Sequence, residues 1–285
     1  MGSIEPQGAG RYAVVTGANK GIGFEVVRQL ACRGVVVVLT ARDEKRGREA
    51  TAKLHHDHHL HANVLFHQLD VTDPLSVQSL ANFTRDTFGR LDILVNNAGA
   101  SGVLVDEEEL KALNIDPTTW LSGQAVKQNS RVTEALLPLL KLSTAGARIV
   151  NVSSLRSELK RIPSEEIRNE LGNVEALTEE KVDAVLRRFL HDFKENSLEA
   201  NGWTMMLPSY SISKATLNAY TRILAKKYPK MCINCVHPGF VNTDINWHTG
   251  TMTVQEGAAG PLKLALLPDG GPTGCYFDQT QVADF

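Results

Sequence analysis

The chain has 285 residues, 42% apolar and 22% charged, with a formal charge of −2. That balance gives no electrostatic case for nucleic acid or an anionic membrane as the main partner. Four cysteines are too few for a disulfide framework, and no apolar run approaches the roughly 20 residues of a membrane span, so a cytoplasmic protein is expected.

Residues 1–10 are expected to be a flexible terminus lacking the apolar core of a signal peptide. Residues 11–285 read as one α/β domain, because short β-branched runs alternate with helical stretches. The strand candidates are Tyr12–Thr16, Val35–Ala41, Val64–Gln68, Leu91–Asn96, Arg148–Val152 and Met231–His237, with Gly274–Phe277 a weaker seventh. The early ones are almost wholly apolar, as strands covered on both faces are. The expectation is a Rossmann-type, doubly wound parallel sheet of about seven strands. Gly21–Arg33 has helical periodicity at Ile22, Val26, Val27 and Leu30, and Gly34 stops it. Asp43 suits the N-cap of the next helix, and Asp73-Pro74 opens another. The stretch from about 157 to 203 breaks the alternation. It is polar and helical, with apolar positions at Val182, Val185, Leu186, Phe189 and Phe193, and is expected to lie as a lid over one end of the sheet.

The first strand runs into Thr16-Gly17-Ala18-Asn19-Lys20-Gly21-Ile22-Gly23 and then a helix. Glycines allow a sharp turn and close approach to a pyrophosphate, and the helix N-terminus supplies free N–H groups. A dinucleotide site follows from that context. Its type turns on the end of the second strand, where an acid suits NAD ribose and arginine suits the NADP phosphate. Here the strand ends Ala41-Arg42, and Arg42 and Arg46 can converge on one phosphate, with Lys20 a third cation. NADP(H) is therefore expected. Asp70-Val71 follows the third strand, where a carboxylate could meet the adenine amino group. Asn96-Asn97-Ala98-Gly99 ends the fourth, with Gly99 allowing close approach to the cofactor.

Tyr210-Ser211-Ile212-Ser213-Lys214 sets a tyrosine and a lysine on one helical face. A nearby ammonium lowers a phenol's pKa from about 10 and brings it into range for proton transfer. By itself the pair is weak evidence; its company is not.

Thr16–Gly23, Asn96–Gly99, Asn151-Val152-Ser153-Ser154, Tyr210–Lys214 and Pro238-Gly239 occur in this order. Together they resemble the short-chain dehydrogenase/reductase family over about residues 10 to 280. Within it, the chain is similar to the plant neomenthol dehydrogenase and salutaridine reductase group, and to animal carbonyl reductases. The resemblance implies that Tyr210 protonates a carbonyl oxygen while hydride leaves the nicotinamide. Lys214 would lower the tyrosine's pKa and hold the nicotinamide ribose. Ser154, rather than Ser153, would polarise the carbonyl. Pro238, Gly239, Val241 and Thr243 would border the nicotinamide and pyrophosphate. The long insertion between the serine and tyrosine motifs goes with monomers in this family.

One departure concerns the asparagine that supports a water relay to the lysine in many members. It lies about three turns before the Leu-Leu-Pro of its helix, where this chain has Ala125. Asn129 is the nearest asparagine, and the stretch Trp120–Arg131 reads as shortened. The expected activity is NADPH-dependent reduction of a ketone on an apolar, terpenoid- or alkaloid-like molecule. The alternatives are reduction of a conjugated C=C bond, and cofactor binding with little turnover.

Other signals carry less. His55, His56, His58, His59 and His61 read as a solvated helix end. Cys232 and Cys235 fall on opposite faces of a strand, so no metal site is expected. Trp203, Met205, Met206, Phe240 and Trp247 suit either an apolar pocket or ordinary core.

Overall fold

The computed structural model describes residues 10–99 and 124–285, without the side chains of 124–129. Seven strands pair in parallel: β1 (Tyr12–Val15), β2 (Val36–Ala41), β3 (Val64–Gln68), β4 (Ile93–Asn96), β5 (Arg148–Val152), β6 (Cys232–His237) and β7 (Tyr276–Asp278). An eighth strand that the sequence did not announce, β8 (Gln281–Ala283), adds antiparallel to β7. It is three residues long and mostly exposed, so it lacks the buried apolar run that betrays the other strands. The order is β3-β2-β1-β4-β5-β6-β7-β8. The chain steps outward from β1 to β3, then returns to the other side of β1 at β4. That reversal leaves a crevice at the C-terminal ends of β1 and β4, where α/β sheets of this kind bind ligands.

Successive strand residues feed two cores. Ala13, Val15, Val37 and Leu39 pack against Val26, Val27 and Leu30 of α1 (Gly21–Ala31), Ala50 and Leu54 of α2 (Glu44–His58), and Leu262 of α8 (Val254–Ala265). Val14, Val38 and Leu94 face the other way. They meet Leu80 of α3 (Pro74–Phe88), Leu136 of α4 (Gln124–Leu140), and Leu217 and Leu224 of α7 (Pro208–Lys227). Burial on both faces explains why these strands are apolar at almost every position.

Local signals set the helix ends. Asp43 Oδ1 accepts from the Arg46 N–H at 2.9 Å, and Asp73 Oδ1 from the Leu75 N–H at 2.9 Å. These are the capping bonds their sequence positions predict. His59 closes α2 in the left-handed conformation, and His55 Nε2 lies 2.9 Å from the Val64 carbonyl oxygen. Cys232 packs with the α1 face of the sheet, while Cys235 is buried against α7.

The segment after β5 is helical. It has two 3₁₀ turns, Leu155–Ser157 and Leu159–Arg161, then α5 (Glu165–Gly172) and α6 (Glu179–Lys194). Val182, Val185, Leu186 and Phe189 form one buried stripe, as their spacing predicts. The stripe and Trp203 pack on Ile212, Ala215 and Ala219 of α7, forming a third core separate from the sheet's own.

Candidate active site

The glycine loop is held by contacts rather than by its own flexibility. Gly17 and Gly21 have φ of +61° and +58°. A Cβ at Gly23 would sit 2.4 Å from Asn97 Nδ2 and 2.9 Å from the Gly17 carbonyl oxygen. Asn97 Nδ2 donates to the carbonyls of Thr16 and Gly17, both at 3.0 Å. Thr16 Oγ1 accepts from the N–H groups of Asn97 (3.0 Å) and Ala98 (2.9 Å). Asn97 therefore clamps β4 to the loop, and its amide is occupied by the protein's own backbone. The Asn97 and Thr16 clamp was not visible in the sequence motif as such.

A dinucleotide fits this cradle. The first turn of α1 has no acidic residue, and no side chain caps it at Lys20, so its N–H groups are free for an anion. Asn19 lies in the same loop, and Ile22 packs into the core below. Arg42 and Arg46 are exposed and have no side-chain partner among the described residues. The third expected cation differs. Lys20 is ion-paired with Asp244, which follows Thr243 in the loop after β6. A lysine and an aspartate that meet across the mouth neutralise each other, so Lys20 is not a free phosphate ligand in this conformation. Asp70 Oδ1 accepts from the Thr72 N–H (2.9 Å) and hydroxyl (2.7 Å), and its other carboxylate oxygen has no partner among the described residues. Val71 is half-buried beside it.

Toward the centre of the sheet, a buried polar ladder crosses four elements, β4, α4, β5 and α7. Asn96 Nδ2 donates to Thr133 Oγ1 (3.1 Å) and Asn151 Oδ1 (2.8 Å), and Asn151 Nδ2 donates to Thr221 Oγ1 (2.8 Å). These bonds register β4, β5 and α7 at the edge where the strands end. Ser153 donates to Asn218 Oδ1 at 2.6 Å and is buried, so its hydroxyl is spent on structure. Ser154 accepts only the Arg156 N–H (3.2 Å) from the backbone and hydrogen-bonds with Tyr210. The two serines therefore differ: Ser153 is engaged with Asn218, and Ser154 is paired with Tyr210.

Tyr210 sits in the first turn of α7, and Lys214 one turn on. Lys214 Nζ lies 5.8 Å from the Tyr210 ring centroid and donates to the Val152 carbonyl at 2.8 Å. A Cβ built on Gly99 would come within 3.7 Å of Lys214 Nζ, so the end of β4 and the lysine face the same space. Burial pushes Lys214 down to about 8. Burial also raises the Tyr210 phenol, partly offset by the bond with Ser154 and by the charge of Arg156. The expectation of a phenol depressed by Lys214 is thus not what this arrangement gives. The ammonium is aimed at a backbone carbonyl, and burial outweighs the bond with Ser154 and the charge of Arg156. Arg156 is a cation the sequence reading passed over, because it belongs to no motif.

Pro238, Gly239, Val241 and Thr243 follow β6 and border the same crevice. Gly239 has φ +95°, and a Cβ on Gly21 would lie 3.4 Å from Thr243 Cγ2, so this loop touches the glycine loop. Met205, Met206, Phe240 and Trp247 are exposed. Trp203 is not with them. It is 1% exposed, its Nε1 donates to Asp192 Oδ2 at 2.7 Å, and its ring meets Phe189 edge-on. In the third core the indole N–H finds a buried acceptor in Asp192. Asn129 lies in the backbone of α4, but its side chain, and Trp120–Gly123, fall outside the described residues. Two open clefts elsewhere, one lined by Gln29, Arg33 and Lys263 and one by Glu166, Glu170 and Arg188, hold no comparable grouping.

Residues 11–164 match the family described as short chain dehydrogenase. The (+)-neomenthol dehydrogenase of Arabidopsis thaliana is 48% identical over 96% of this chain and 98% of its own length. Carbonyl reductase [NADPH] 3 of Mus musculus is 39% identical over 90% of this chain and 91% of its own length. Among solved structures, salutaridine reductase from Papaver somniferum superposes with a TM-score of 0.83 at 46% identity, covering 94% of this chain and 99% of that one.

Proposed function

The chain belongs to the short-chain dehydrogenase family, and from that premise we propose that it reduces a ketone on an apolar, terpenoid- or alkaloid-like molecule to a secondary alcohol, using NADPH. The observation that carries this reading is the convergence of Ser154, Tyr210 and Lys214 on the space faced by Gly99, next to the glycine cradle. Met205 and Met206, just before α7, and Phe240, just after β6, are exposed and offer apolar surface on the loops that lead into and out of these elements. The named activities of the relatives support the same class, and the mouse relative is named for NADPH.

The bound nicotinamide supplies the hydride. The cradle formed by Gly17, Asn19, Gly21, Ile22, Gly23, Asn97, Ala98 and Gly99 would hold the pyrophosphate and nicotinamide ends. Arg42 and Arg46 would take the 2′-phosphate, and Asp70 and Val71 the adenine. Pro238, Gly239, Val241 and Thr243 would close the opposite wall. Lys20 would join only by releasing Asp244. At the reacting end, the Ser154 hydroxyl donates to the carbonyl oxygen and orients it. The Tyr210 hydroxyl gives that oxygen its proton as the carbonyl carbon is reduced. A phenol whose pKa burial raises holds its proton at neutral pH, which suits an acid in the reductive direction. Lys214 Nζ, with its lowered pKa, can release a proton near pH 8 and so recharge the phenolate. Asn129 would extend that relay.

The α5–α6 excursion would act as a lid over the substrate. It also covers the outer face of α7 through Ile212, Ala215 and Ala219, which supports a monomer. The test is kcat/KM for NADPH and NADH with a saturated cyclic ketone such as menthone. A large NADPH preference is expected, and a preference for NADH overturns the cofactor assignment.

A further inference from the structure

One face of α7 is fastened to the end of β5 turn by turn. Thr221 meets Asn151, Asn218 meets Ser153, Lys214 meets the Val152 carbonyl, and Tyr210 meets Ser154. Asn218 lies one turn beyond Lys214 and is fully buried. Its side chain straddles Ser154. Ser153 Oγ donates to Asn218 Oδ1 at 2.6 Å, and Asn218 Nδ2 donates to Ser157 Oγ at 2.7 Å. Ser157 is fully buried as well, and its hydroxyl donates to the Ser154 carbonyl.

A carbonyl can only accept, so the Ser157 proton is committed to Ser154. The group that faces Ser157 from Asn218 must then be the NH₂, which leaves Oδ1 for Ser153. The hydrogen bonds therefore run in one direction, from Ser153 through Asn218 and Ser157 to the Ser154 carbonyl. Buried bonds in such a chain polarise and strengthen one another. Two more bonds hold the same turn from the sheet. The Ser153 N–H donates to the Val236 carbonyl at 2.7 Å, and the Tyr276 hydroxyl donates to the Ser154 carbonyl at 3.4 Å. Asn218 differs from these in coming from the helix that carries Tyr210 and Lys214. It ties the residue before Ser154, and the residue that grips its carbonyl, to the element that places the phenol. A hydroxyl and a phenol that must reach one carbonyl oxygen need a fixed separation, and a shared helix sets it.

We propose that Asn218 is a positioning residue that holds Ser154 in register with Tyr210 through Ser153 and Ser157, and so sets the rate of carbonyl reduction from within the protein. This rests on the reductase reading above and deepens it.

The test measures menthone reduction by NADPH in wild type, Asn218→Leu, Ser157→Ala and Thr221→Val, with circular dichroism confirming that each is folded. Thr221→Val is the structural control. It deletes a buried bond from the same helix face to β5 but none to Ser153, Ser154 or Ser157. Asn218→Leu should lower kcat about 10²-fold, as a misplacement of about 1 Å does, with calorimetric NADPH affinity unchanged. Ser157→Ala keeps the bond to Ser153, loses the grip on the Ser154 carbonyl, and should lower kcat about tenfold. Thr221→Val should lower thermal stability and leave kcat in place. An unchanged kcat in Asn218→Leu, or an equal fall in Thr221→Val, overturns the proposal. If Asn218→Leu does not fold, Ser157→Ala decides, and an unchanged kcat there overturns it. Crystal structures of wild type and Ser157→Ala separate the two readings. If wild type reduces no ketone but Ser154 Oγ moves away from Tyr210 in the variant, the reductase reading fails and the positioning role stands. If Ser154 keeps its wild-type place, the positioning role fails whatever the turnover.

Discussion

The two sides of the crevice present their charges in opposite ways. On the β1–β2 side, Arg42 and Arg46 stand exposed on a backbone packed so closely that a methyl group at Gly23 would collide with Asn97. On the β5–α7 side, Lys214 and Tyr210 are sunk against strand ends and their proton affinities are displaced by burial. A phosphate needs charges that stay charged and a loop that does not yield. Proton transfer needs groups whose proton affinities suit their roles, and burial keeps the Tyr210 phenol protonated while bringing Lys214 toward neutrality. On the proposed reading, one sheet edge holds binding and chemistry as separable devices.

The largest expected effect breaks the chemical side alone. Tyr210→Phe should cut ketone reduction by about 10²–10⁴-fold, while calorimetric NADPH affinity falls far less. Equal losses of both would mean that the two sides are not separable. Next, the double change Arg42→Ala and Arg46→Ala should weaken NADPH, but not NADH, by about 10²-fold, from the loss of charge-assisted hydrogen bonds. Steady-state KM for each cofactor reads this, and an equal loss for both contradicts a phosphate role.

Lys214 sharpens the comparison through stability. Its ordinary value is 10.5 and burial lowers it to about 8 in the folded chain. Between those values the unfolded chain binds more protons, so stability rises with pH across the window, and the burial penalty is complete below it. Lys214→Met removes that penalty at the cost of the bond to Val152. It should therefore be inactive yet more resistant to urea at pH 7, by roughly 2 kcal/mol, with the gap closing toward pH 10.5. A variant less stable at pH 7 would mean that the lysine is not held against its charge. The smallest effect belongs to neither side. Trp203→Phe deprives Asp192 of its buried donor and should cost about 1–3 kcal/mol in thermal unfolding, leaving cofactor affinity in place.

The sheet was legible because its strands are buried on both faces, so Val36–Ala41 and Arg148–Val152 announce themselves within a residue or two. β8 was not, since an exposed three-residue edge strand has no pattern to read. The caps at Asp43 and Asp73 were local and therefore readable. The grouping of the candidate site was legible where it consists of motifs: the glycine loop, Ser154, Tyr210 and Lys214. It was not legible where the answer depends on partners distant in the chain. The pairing of Lys20 with Asp244, the clamp from Asn97 to Thr16, and the bond from Tyr276 to the Ser154 carbonyl at 3.4 Å each join residues that no spacing rule connects. Trp203 could not be assigned to pocket or core for the same reason: Asp192, its acceptor, lies on α6 rather than at the crevice. The direction of the Tyr210 shift also depended on depth of burial, which a sequence does not state.

The most direct measurement uses NADPH carrying deuterium at the transferable C4 position and a cyclic enone, which offers both a C=O and a C=C bond. Mass spectrometry and NMR of the product locate the label. Deuterium on the carbinol carbon, lost in Tyr210→Phe, is the predicted result. Deuterium on the β-carbon of a saturated ketone, or NADPH bound with no label in any product, would contradict it.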